Sequence, residues 1–75
     1  MTDLRAVTIQ AKDMTPGERG LIDFGGKQLV CMRDPGSRNW LHIWSNESKF
    51  IFDPARSIPL DIQENGTHEV VVLRK

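Results

Sequence analysis

Apolar and polar positions along this chain change places quickly. Breaks at Gly, Pro, Asn or Asp recur about every ten residues or sooner, which is the spacing of short strands and turns. Leu4 to Ala11 alternates, with Val7, Ile9 and Ala11 on one face and Leu4, Ala6, Thr8 and Gln10 on the other. Leu21 to Phe24 and Lys27 to Arg33 flank Gly25-Gly26, a pair that supplies the positive φ angles of a tight hairpin turn. Asp34-Pro35-Gly36-Ser37 forms the next turn, and Asn39 to Ser45 the next strand. Asn46-Glu47-Ser48 then turns the chain into a strand over Lys49 to Phe52. Ile58 to Gln63 and Thr67 to Arg74 flank Glu64-Asn65-Gly66, and Asn-Gly predicts a hairpin closing there. Val70 to Leu73 is apolar on both faces, so its strand is expected to lie centrally.

Helical signals are confined to single turns. Thr15-Pro16-Gly17-Glu18 has a capping residue, a following Pro and a Glu three positions on, but Gly17 and Gly20 limit it to one turn. Asp53-Pro54-Ala55-Arg56 has the cap and Pro of one 3₁₀ turn. The expectation is an all-β chain of six to seven short strands with one-turn helices in the loops. Residues 1–75 form one small domain, folded as a bent sheet or partly open barrel, SH3-like or OB-like.

Composition narrows the function classes. The 75 residues carry ten Lys+Arg against ten Asp+Glu, a formal net charge of zero, so no global positive field steers the chain to phosphate. Mean hydropathy of −0.38 argues against a membrane span. Chains of this size bury only about 60% of their unfolded surface, which leaves little room for a deep cleft. Cys31 is the only cysteine, so neither an internal disulfide nor a multi-thiolate metal site can form within one chain. The residues following Met1 lack an apolar signal-peptide core, and a cytoplasmic location is expected. The sequons Asn46-Glu47-Ser48 and Asn65-Gly66-Thr67 therefore read as turns.

One segment stands out as candidate chemistry. In a strand over Asn39 to Ser45, Trp40, His42 and Trp44 share one face and Leu41 and Ile43 the other. Two readings are open: the Trp40-His42-Trp44 stripe is an exposed anchor for a partner, or the two tryptophans are core. Arg38 adjoins the stripe as a further partner-binding candidate. A second reading makes the chain a single-strand RNA or DNA binder, with Trp40 and Trp44 stacking on bases and Arg33, Arg38, Lys49 and Arg56 pairing with phosphate. Asp34, Glu47 and Asp53 lie in the same turns and offset that field.

Other chemistry is weak. His42 and His68 belong to no ligand-spaced motif, so no metal or cofactor is expected, although a site with Asp23 or Asp61 can be drawn. Cys31 reads as a small buried hydrophobe, and Ser37, Ser45, Ser48 and Ser57 as turn residues without a base or oxyanion hole. The functional expectation is a non-catalytic interaction protein, an accessory subunit or inhibitor that binds a larger protein through the Trp-rich face and adjoining turns. Nucleic acid is the alternative partner, a membrane is not expected, and self-association through an edge strand is left open.

Overall fold

The apolar residues of alternating strands must all turn to one side, and that requirement builds a single sheet. The computed structural model describes residues 3–36 and 39–75. Its strands are β1 (Arg5–Gln10), β2 (Arg19–Phe24), β3 (Lys27–Arg33), β4 (Trp40–Trp44), β5 (Ile58–Asp61) and β6 (Glu69–Arg74). They form one antiparallel sheet in the order β1-β6-β2-β3-β4-β5. Short 3₁₀ turns occupy Ala11–Asp13 and Pro54–Arg56, and a one-turn helix, α1, occupies Ile62–Asn65.

A flat sheet would be a slab about 10 Å thick with its side chains. The molecule instead measures 35 × 28 × 28 Å, so the sheet is rolled. Its two ends approach where α1 packs on the 3₁₀ turn after β1. There Lys12 N–H donates to Gly66 C=O at 2.9 Å, while Ala11 N–H, bonded to His68 C=O at 2.9 Å, extends the β1–β6 ladder. β1 and β5 do not pair, so the roll stays open.

The inner face holds the core: Ile22, Cys31, Leu41, Ile43, Val70 and Val72, closed at the end by Ala11, Met14 and Ile62. Gly20 lets β2 approach β6 within this core. A Cβ there would stand 2.6 Å from the Val71 carbonyl oxygen and under 3 Å from Val70 and Val72 methyls. Arg33 shares the inward parity of Leu29 and Cys31 and is buried at the rim, where Nη1 donates to Ala11 C=O at 3.3 Å.

Several local readings hold. Gly25 and Gly26 have φ of 61° and 84°, and Phe24 pairs with Lys27 across that turn. Asp53 Oδ1 accepts from Ala55 N–H as the expected cap. Val70 to Leu73 lies between β1 and β2. At the Thr15 turn, Glu18 Oε1 accepts from Thr15 N–H, and the left-handed Gly17 ends the turn before any helix forms.

Two elements differ from expectation. Asn65-Gly66 closes no hairpin, because Gly66 has a right-handed φ of −70° and ends α1. Asp61 Oδ1 caps Gln63 N–H and Asn65 Nδ2 donates to Asp61 C=O, so local side-chain bonds favour a helical turn. The strands it was to join have other partners. β6, apolar on both faces, takes β1 and β2, while β5, carrying Pro59, is confined to an edge beside β4.

Nor is Lys49 to Phe52 a strand. Ser48 Oγ accepts from Phe50 N–H, Asp53 N–H donates to Phe50 C=O, and Phe52 has a φ of 70°. The segment folds into successive turns laid over β4. Ser37, in the expected Asp34 turn, lies outside the described residues; within that turn Asp34 Oδ1 accepts from Gly36 N–H at 2.7 Å.

Candidate functional site

β4 divides its side chains as alternation requires. Leu41 and Ile43 enter the core, and Trp40, His42 and Trp44 point to the outer face of the sheet. That face is not uniformly open. Trp44 is 2% exposed and His42 7%, while Trp40 remains 44% exposed. Neither whole-stripe reading describes this arrangement: the tryptophans part company within one strand.

The cover over Trp44 and His42 is the loop between β4 and β5. Trp44 Nε1–H donates to Asp53 C=O at 3.2 Å. The Phe52 ring stands edge-on to the indole, with centroids 5.6 Å apart and planes at 74°. The Arg19 guanidinium, from β2, lies over the Phe52 ring, 4.0 Å from its centroid.

A second tie fixes the end of this loop. His42 Nε2 lies 2.8 Å from Asp34 Oδ2, and His42 Nδ1 lies 2.7 Å from Ser57 Oγ. Ser57 Oγ–H donates to Pro54 C=O at 2.8 Å. The residue types are those of a hydrolytic triad, here linking β4 to the turn before it and to the loop that follows. Ala55, Arg56 and Ser57 direct their backbone N–H groups to Asp53 Oδ1, Asp53 C=O and Pro54 C=O. None of these three is left to stabilise an oxyanion beside Ser57.

Beyond the loop the outer face opens. Registered partners run in one row across the sheet: Thr8 opposite Val71, Val71 opposite Leu21, Leu21 opposite Val30, and Val30 opposite Trp44. The outer surface of a rolled sheet is ordinarily its polar side, with apolar residues alternating inward. Here Leu21, Val30, Val71 and Leu73 line a groove of about 570 Å³ walled on one side by Phe52 and Arg19. Leu73 is 63% exposed.

A left-handed φ in a large aromatic residue costs on the order of 1–3 kcal/mol and persists only where neighbours enforce it. Phe52 has such a φ, and its ring, in contact with Trp44 and Arg19, lies beside the groove. Sequence reasoning missed this groove. Its residues come from β2, β3, β6 and the loop; the available signal was that Leu21 and Val30 are apolar at outward parity, as Val71 and Leu73 are.

The described basic candidates sit in different settings. Arg33 is buried in the rim of the core, and Arg56 lies over the Phe50 ring at 4.5 Å. Lys49 is exposed in the loop, and Arg38 lies outside the described residues. His68 stacks on Phe24 with centroids 4.5 Å apart, on a different part of the molecule from His42. Among the described residues, no three His, Cys, Asp or Glu side chains come together as a metal set. Burial pushes the Cys31 thiol up to about 12, far from thiolate chemistry. No described helix is long and apolar enough to cross a membrane.

No protein family matches the chain, and comparison with curated proteins and with solved structures finds no significant match.

Proposed function

We propose that this chain is a non-catalytic interaction module that binds a protein partner through the outer face of its sheet. The observation that carries the reading is the groove beside Phe52, where apolar side chains from three strands meet on the side of the sheet that packing does not require. Phe52 in its left-handed conformation gives the groove a rigid aromatic wall. Arg19 sets a cation at its margin. A partner that fits presents one or two large apolar side chains, with an acidic group placed to meet Arg19. The Trp40-His42-Trp44 strand contributes by holding that wall: Trp44 supports Phe52, and His42 ties down the loop. Trp40 lies on the same face beyond His42.

The test is selection of a random peptide library displayed on phage, carried out against the wild-type protein and, in parallel, against Leu73→Glu. The reading expects wild type to enrich peptides with a bulky apolar residue, and Leu73→Glu to lose them. Peptides retained equally by both proteins would contradict it. Single-stranded RNA bound in a salt-sensitive manner through Trp40 and Lys49 would support base stacking in its place.

A further inference from the structure

The two ends of the sheet are built differently. β5 is four residues long, contains Pro59 and runs straight into α1, three features that blunt an edge. β1 has none of them. Its six residues pair one for one with β6, from Arg5 opposite Arg74 to Gln10 opposite Glu69, without a bulge. It contains no proline, and Arg5 is its only charged residue. Among the described residues its far side meets no other strand, so a row of backbone donors and acceptors faces outward. Only another extended strand satisfies such a row along its length.

We infer that β1 pairs with β1 of a second copy of this chain, antiparallel about a two-fold axis at Thr8. Alternation decides the register. Facing residues in an antiparallel pair share a face, so a self-pairing that keeps inner with inner must centre on a residue and not between two. Centred on Val7, the pairing sets Arg5 against Ile9 of the second copy, placing a charge opposite an apolar residue of the inner face. Centred on Ile9, it draws Ala11 out of its 3₁₀ turn and loses length. Centred on Thr8, it sets Thr8 against Thr8, Val7 against Ile9 and Ala6 against Gln10.

That register makes two β-branched pairs on the inner face and a threonine pair on the outer, all favourable cross-strand neighbours. The paired span, residues 6–10, carries no charge, and the chain's net charge of zero sets no global repulsion between copies. A second copy is the occupant because the edge is complementary to itself, and an isologous two-fold uses both edges at once. The row from Val30 through Leu21 and Val71 to Thr8 then continues into the second copy. Each copy keeps its groove open, so the pairing goes beyond the proposed function and does not depend on it. Strand pairing of this length buries less than the ~1,200 Å² at the lower bound of stable interfaces, so the dimer forms reversibly at high concentration.

Sedimentation velocity over a concentration series tests this, together with disulfide capture. Wild type is expected to pass from the 8.5 kDa chain to twice that mass as concentration rises into the millimolar range. Thr8→Lys, which places two like charges face to face at an exposed position, is expected to remain monomeric with an unchanged circular dichroism spectrum. On mild oxidation Thr8→Cys is expected to cross-link into a dimer, while Ala6→Cys, whose facing residue is Gln10, is not. The buried Cys31 does not interfere. Wild type that stays monomeric throughout the series overturns the inference, as does Ala6→Cys cross-linking as readily as Thr8→Cys. Neither result bears on peptide binding at the groove.

Discussion

Phe52 meets Trp44 edge to face, and the two rings join the sheet to the loop that covers it. Trp44 has three neighbours holding it: Val30 opposite on the adjoining strand, the Asp53 carbonyl at its indole nitrogen, and the Phe52 ring set at 74° to its own. Trp40, four residues away on the same strand and face, has no such cover among the described residues. Trp44→Ala should therefore cost roughly 3–5 kcal/mol of stability, and Trp40→Ala no more than about 1 kcal/mol. Urea denaturation of the two variants checks this; equal losses would contradict the described burial.

Acid should act through Glu18 and Arg74. Arg74 Nη2 donates to Glu18 Oε1 at 2.9 Å and Nε to Oε2 at 3.1 Å. These bonds hold the Glu18 carboxyl below its usual 4.5. A carboxyl whose pKa is lower in the folded chain than in the unfolded one stabilises the fold above its unfolded pKa. That contribution is lost as pH falls from about 4.5 through the folded value. Glu18→Gln should lower stability at neutral pH and flatten the decline below pH 4.5. Thermal melts of both proteins across that range measure the effect; an unchanged acid slope would contradict it.

Cys31 has a structural part alone. Its thiol is wholly buried on the inner face, and its pKa is pushed up to about 12 by that burial. Cys31→Ala should lower stability by about 1 kcal/mol or more while leaving peptide binding per folded molecule unchanged. Labelling of the native protein by a thiol reagent should proceed only through unfolding, and so accelerate with urea. Rapid labelling in buffer would contradict the assignment.

Gly20 should tolerate no side chain. The β2–β6 pairing joins β1 and β6 to the rest of the sheet, and an alanine Cβ there meets a backbone carbonyl that cannot turn aside. Gly20→Ala should cost on the order of 2 kcal/mol or more, read by urea denaturation, whereas Gly25→Ala meets no neighbouring atom and bears only the cost of its positive φ.

What could be read in advance was what lies within one strand or one turn. The Gly25-Gly26 hairpin, the Asp53 cap and the central position of Val70 to Leu73 follow from neighbours in sequence. Asn65-Gly66 misled because its hairpin signal competes with the Asp61 cap, and the outcome depends on which strands β5 and β6 can pair with. Lys49 to Phe52 misled because its apolar residues serve as a cover over Trp44, which no local pattern announces. The groove was hidden for a related reason: the Gly25-Gly26 hairpin sets Leu21 opposite Val30, but Val71 reaches them only through the long-range β2–β6 register. His42 was singled out, but its partners Asp34 and Ser57 lie eight and fifteen residues away.

The account turns on where a partner docks. Isothermal titration of the tightest peptide selected on wild type, into Phe52→Ala, Leu73→Glu and Trp40→Ala, measures this directly. Phe52→Ala and Leu73→Glu should each weaken binding about thirtyfold or more, roughly 2 kcal/mol, with Trp40→Ala within a few-fold of wild type. Affinity lost at Trp40 and kept at Phe52 and Leu73 would contradict the account.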